Sequence, residues 1–169
     1  VYVTVAGANN DSALNVQVKC EILGYDAAAD LAVLKTLPES EASGFRFTAA
    51  QGVLGWADSS LMRKGMEVYC IGDPLGLDDQ SISSGVLRDN KFISSLNGGA
   101  VEQISFSAPI KPGNSGGPVL NNSAQVVGMS NYVFVNNGQA LSTFGAGVNS
   151  FMATRITTQL LSNPPIVKG

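Results

Sequence analysis

Apolar residues in this chain either alternate with polar ones or gather in short runs, a period that belongs to strands. Val1-Tyr2-Val3-Thr4-Val5 and the stretch from Leu14 to Leu23 have this character and are rich in β-branched side chains. Leu31 to Leu37, Met66 to Ile71, Ser81 to Arg88, Val101 to Ala108, Gly117 to Leu120, Gln125 to Val135 and Ala140 to Val148 continue the series. Gly7 to Ser12 reads as a loop and Pro38 to Ser43 as a polar turn. Short strands parted by Gly, Asn and Asp turns predict a sandwich or a barrel. One segment departs from this period. Phe151, Met152, Ile156, Leu160 and Leu161 follow helical spacing behind a Ser150 cap, and Pro164-Pro165 stops the run. The expected fold class is therefore all-β with a C-terminal helix.

Composition narrows this picture modestly. A length of 169 residues suits one globular unit, or two small lobes sharing a cleft. Apolar residues at 44% can fill a core, and a net charge of −3 with no basic run argues against a nucleic-acid surface. No apolar run reaches the length of a membrane span. The chain starts at Val1 without Met or a signal peptide, so a longer precursor or a trimmed chain is expected. Cys20 and Cys70 lie in apolar, strand-like runs and read as two buried reduced thiols. No metal-ligand spacing is present, and neither a metal nor a cofactor is expected. Asn121-Asn122-Ser123 matches the glycosylation acceptor pattern, which is common by chance.

The chemistry concentrates in Pro112-Gly113-Asn114-Ser115-Gly116-Gly117-Pro118. A serine hydroxyl is a weak nucleophile, and a tight glycine turn can supply what it lacks. The turn lets Oγ project into a cleft and lets main-chain N–H groups converge where a carbonyl oxygen becomes negative. These are also turn residues, but apolar segments flank them: Ile104-Ser105-Phe106 before, Val119-Leu120 and Val126-Val127-Gly128-Met129 after. A second candidate is Asp30, just before Leu31-Ala32-Val33-Leu34, where a carboxylate can be partly buried and still face a cleft. The same place suits a turn aspartate, a reading that fits nearby Asp26 better.

Gly113 to Pro118 resembles the nucleophile loop of chymotrypsin-fold serine proteases. The Asn before the Ser and the lead-in Ala108-Pro109-Ile110-Lys111-Pro112 resemble the HtrA/Deg branch. Gly24-Tyr25-Asp26-Ala27-Ala28-Ala29-Asp30-Leu31-Ala32-Val33-Leu34-Lys35 resembles the segment with that family's catalytic Asp. Val68 to Leu77, then Ser83-Ser84-Gly85-Val86-Leu87, resembles the start of its second barrel. The likeness runs from about residue 16 to about residue 161, in the family's order. It implies a chymotrypsin-like double six-stranded β-barrel, the first barrel incomplete, with a closing helix. The organisation expected is a partial barrel over 1–60, a second barrel over 61–148 and a helix over 149–163.

The resemblance implies a serine endopeptidase that cleaves unfolded or exposed protein segments through an acyl-enzyme. Ser115 is its nucleophile and Asp30 the carboxylate that holds an imidazole in one tautomer. The oxyanion hole falls on Gly113, Asn114 and Ser115, with the N–H groups of Gly113 and Ser115 as donors and the Gly113–Asn114 peptide able to flip. Asn114 is expected to stabilise the turn through its side chain. Ser115 is expected to open onto a groove, facing Asp30 with room for an imidazole between. The primary pocket is implied near Pro109 and Ile110, with walls from Ser130, Asn131 and Tyr132 and from Gly145, Ala146, Gly147 and Val148. These segments hold no acid, so an aliphatic side chain suits them better than Lys or Arg. The strand from Met129 to Val133 is expected to pair with an extended peptide.

One departure is serious: the chain has His 0. Without a base, Oγ keeps its proton near neutral pH and activity falls by orders of magnitude. Three explanations stand. The His precedes Val1 in a longer chain; or the protein is a catalytically inactive pseudoprotease that binds peptides; or another group substitutes, Lys111 being the nearest, though it also reads as a solvated charge at the rim. The expected partner is a protein or peptide substrate, with no nucleic acid and no membrane span. Family likeness implies trimers, a PDZ domain in longer members, and a place in the cell envelope, an organelle lumen or outside the cell.

Overall fold

The structure is a computed structural model, and it describes residues 1–5, 16–37, 53–74, 81–94 and 100–162. The expected loop at Gly7–Ser12, the turn at Pro38–Ser43, and the stop at Pro164-Pro165 lie outside the described residues.

Three antiparallel strands open the chain: β1 (Tyr2–Val5), β2 (Val16–Asp26) and β3 (Leu31–Thr36), in the order β1-β2-β3. Alternation decides which way they face. Val18 and Cys20 are buried, while Lys19 and Glu21 stand outside. Ile22 pairs with Leu34, and a bulge follows before Gly24 pairs with Val33. Six further strands close into a barrel: β4 (Glu67–Gly72), β5 (Ser81–Ser94), β6 (Val101–Phe106), β7 (Pro118–Leu120), β8 (Val126–Asn136) and β9 (Gln139–Asn149), in the order β4-β5-β6-β9-β8-β7. Helix α1 (Ser150–Ser162) follows directly. A partial sheet, a closed six-stranded barrel and a C-terminal helix make the fold all-β in the chymotrypsin-like sense expected.

Two apolar clusters hold these parts. One fills the barrel, with Val68, Cys70, Leu87, Ile104, Phe106 and Val127 at its centre. Each such side chain contributes about 1.5–3 kcal/mol through burial. The other lies outside the barrel wall. There Ala29 and Leu31 from the β2–β3 turn meet Val101 and Val148 of the barrel and Ala153, Ile156 and Leu160 of α1. This cluster fixes the partial sheet against the barrel.

Three local expectations change. β5 runs to Ser94 rather than ending near Arg88, because Asp89-Asn90-Lys91 forms a bulged strand with register shifts and not a turn. The buried stripe of α1 is Ala153, Ile156 and Leu160, while Phe151 and Leu161 are exposed. The helix cap is Asn149, whose Oδ1 accepts from Met152 N at 2.9 Å. The Ser150 hydroxyl is occupied elsewhere: it donates to Ala57 O (2.6 Å) and accepts from Ser59 N (3.1 Å). Both cysteines are free and buried, as expected.

Candidate active site

The loop from Ser107 to Gly117 joins β6 to β7, and its shape follows from its sequence. Asn114 N donates to Lys111 O at 3.0 Å, closing a turn with Pro112 and Gly113 at its centre. Pro112 supplies the fixed φ that the first central position wants. Gly113 takes φ +106°, which the second requires and a side chain resists. A second turn closes where Gly117 N donates to Asn114 O at 3.0 Å, with Gly116 at φ +87°. Ser115 stands at the first central position of this second turn, exposed.

Both flanks of the loop are fastened. On the β8 side, Gly116 N donates to Ser130 O (2.7 Å), Ser130 N to Gly117 O (2.9 Å) and Ser130 Oγ to Asn114 O (2.6 Å). On the β4 side, a Cβ at Gly117 would run into Ile71 O, and one at Gly72 would meet Asn114 Cα at 2.7 Å. Asp73 N, just past β4, approaches Gly113 O at 3.4 Å. The nucleophile candidate thus sits between the C-terminal end of β4 and the middle of β8. Its Oγ donates to Asn131 O at 3.2 Å.

The N–H groups of Gly113 and Ser115 have no hydrogen-bond partner among the described residues. Asn114 is only 3% exposed, yet its Oδ1 has no partner, so the turn is held by its main-chain N and O and not by that side-chain oxygen. Asp73 Oδ1 and Asn131 Oδ1 are likewise buried and unpartnered. Beneath the loop, burial pushes the Cys70 thiol pKa up, against weaker opposing hydrogen bonds from Ser130 and Asn114. Lys111 is exposed.

The pocket residues fall on paired strands. Ser130 pairs with Gly147, and Tyr132 with Ala146. A Cβ at Gly145 would strike Ile110 and Phe106, so the missing side chain lets buried Ile110 close against the strand. Pro109 is exposed beside it. Val148 belongs to the cluster outside the barrel, packed with Ala153 and Ile156. The Tyr132 hydroxyl donates to Gln103 Oε1 at 2.7 Å, and burial raises its pKa against a hydrogen bond from Ser94. Strand β7 pairs with β8 only over residues 126–129. Beyond Ser130, whose N and O are taken by Gly117 and Gly116, that edge of β8 has no partner strand among the described residues.

Asp30 closes the tight turn between β2 and β3, exposed, at φ +56°. Asp26 is the structural member of that turn, accepting Ala29 N at 3.0 Å. The carboxylate of Asp30 lines a depression with Tyr25, Ala27 and Ala32. Its neighbours Ala29 and Leu31 are buried against Val148, and Met129 packs on the same cluster, one residue before Ser130. No hydrogen bond or ion pair among the described residues joins Asp30 to the Ser115 loop. The loop and its β8 partners are bonded together; Asp30 reaches them only through packing. Sequence reasoning missed the Ser130 tie, although a hydroxyl ending the apolar run Val126 to Met129 was a visible signal. It also missed Asp73 beside Gly113, for which the apolar run ending in Gly72-Asp73-Pro74 gave no local sign. Among the described residues no cluster could hold a metal ion.

Against known proteins, the family described as a trypsin-like peptidase domain matches residues 4–129. The chain is 36% identical over 119 residues to the serine protease Do-like HtrA of Bacillus subtilis, covering 68% of this chain and 24% of that protein. It is 34% identical over 154 residues to the magnetosome formation protease MamE of Magnetospirillum gryphiswaldense, covering 90% of this chain and 18% of that protein. It thus spans at most about a quarter of the length of these two curated relatives. A solved structure, the HtrA-type protease AlgW with decapeptide, superposes with a TM-score of 0.74 at 21% identity, covering 96% of this chain and 45% of that one.

Proposed function

The chain belongs to the trypsin-like peptidase family, as an HtrA-like member with serine endopeptidase relatives, and on that premise we propose that Ser115 is its nucleophile in acyl-enzyme proteolysis. The observation that carries this reading is the loop: an exposed hydroxyl fixed between two strands, beside two main-chain donors left unused. Gly113 N–H and Ser115 N–H are the oxyanion donors, each worth about 3 kcal/mol to the transition state. On this reading the base is an imidazole supplied from outside the 169 residues, which contain no His. Asp30 holds that imidazole, supported by the packing of its turn against the β8–β9 wall.

An extended peptide adds to the open edge of β8 from Asn131 onward, giving main-chain hydrogen bonds on the acyl side. The AlgW structure in the comparison carries a decapeptide, which is consistent with peptide as the ligand class. Ile110, Gly145 and the strands Ser130–Tyr132 and Gly145–Gly147 form the acyl-side pocket, which selects an aliphatic side chain. Val148 helps only by seating the wall on α1. A fluorophosphonate probe on the base-carrying parent tests the assignment. Labelling should vanish in Ser115→Ala, and Asp30→Asn should lower kcat by about 10⁴-fold, the scale known for this substitution in serine proteases. Undiminished labelling of Ser115→Ala sinks the reading.

A further inference from the structure

Every buried side-chain oxygen left without a partner among the described residues lies at the Ser115 loop, and one of the three belongs to a carboxylate, Asp73. The barrel topology says which side of the loop Asp73 occupies. β7 lies between β4 and β8 and is antiparallel to both, so its first residues meet the last residues of β4 and the middle of β8. Ser115 therefore has Asn131 on one flank and Asp73 on the other. Gly72 brings Asn114 against the same flank, and Asn114 contributes a second unpartnered oxygen while only 3% exposed. No Lys or Arg among the described residues forms an ion pair with Asp73.

We propose that Asp73 is a specificity-determining residue that favours a cationic side chain, Lys or Arg, in the half of the substrate that leaves as the amine. This rests on the peptide reading above, in which the acyl half lies along β8. The other half must then cross Gly113 and pass over the end of β4. There it passes Asp73, a partly exposed carboxylate residue whose Oδ1 lies buried and unpartnered near Asn114. An ammonium or guanidinium at this flank supplies hydrogen bonds to the exposed side of the carboxylate together with the opposite charge. The acyl-side pocket holds no acid, so charge selection would come from this flank alone.

The test uses the 169-residue chain and fluorescent decapeptides with a constant acyl half and one varied residue in the leaving half, read by anisotropy. Lys and Arg peptides should bind about threefold to tenfold tighter than the norleucine peptide, and Glu weaker still, with the difference shrinking as salt rises. Asp73→Asn should erase the Lys preference and leave the norleucine peptide unchanged, while Asp73→Glu should retain part of it. Equal loss for Lys and norleucine peptides in Asp73→Asn would make the residue purely structural and overturn the assignment. Binding blind to charge in the native chain would remove Asp73 alone. Failure of every peptide to bind would remove the peptide reading and this inference with it.

Discussion

The barrel and the three-stranded sheet are both antiparallel, yet they are held in different ways. The barrel closes on itself around a core that includes Phe106, Ile104 and Val68, each fully buried. The sheet ends at β1 and β3, and Val1, Tyr2, Val3, Ile22 and Leu34 are exposed on it. The loop that carries Ser115 is bonded to β8 on one flank and packed closely against the end of β4 on the other. Asp30 is fixed through Ala29 and Leu31, which are buried by barrel and helix residues. The two proposed catalytic groups therefore depend on one body: the barrel holds the hydroxyl directly and the carboxylate at one remove.

The largest expected effect tests that asymmetry. Phe106→Ala should cost about 3–5 kcal/mol in chemical denaturation. Ile22→Ala, at a position 40% exposed, should cost less than about 1 kcal/mol. Similar losses from the two would show that the sheet contributes as much as the barrel. Next in size is Ser130→Ala, which removes the 2.6 Å bond to Asn114 O inside the wall. We expect about 1–3 kcal/mol of destabilisation and, in the base-carrying parent, a lower kcat with little change in KM. A change confined to KM would mean that Ser130 serves the pocket and not the turn.

The smallest effect concerns acid. The hydrogen bond from Lys91 N, then the Lys64 ammonium at 3.0 Å, hold the Asp89 carboxyl below its ordinary range. A lowered folded value stabilises above the unfolded one, about pH 4, and that contribution disappears as pH falls through the folded value. Asp89→Asn should thus cost well under about 1 kcal/mol at pH 7 and flatten the acid limb of unfolding below about pH 4. Glu21→Gln, which breaks a 3.6 Å exposed pair on the outer face of the sheet, should leave stability at pH 7 unchanged. A matching shift in both variants would erase the distinction between barrel and sheet.

Strand positions were legible because burial on one face or both writes itself into a period of two or into short apolar runs. What escaped were places where a local rule met a distant demand. Asp89-Asn90-Lys91 has turn composition but continues β5 as a bulge, since β6 pairs with β5 on both sides of it. Ser150 has cap composition, but β9 extends to Asn149 and gives that residue the cap instead. In the loop, Pro112-Gly113 could be read directly because a proline φ followed by a positive φ defines one turn. The tie from Ser130, the approach of Asp73 and the path from Asp30 to Met129 could not. They join residues far apart in sequence, and only the closed strand order brings them together.

The Ser150 hydroxyl holds the crossing segment at Ala57 and Ser59 to the first turn of the closing helix, more than ninety positions further along. That rivet ties the tail of the molecule to the bridge between its halves. Trimming the tail would therefore act like slackening a hinge pin: the damage would surface not at the cut, but in how the front half is aimed.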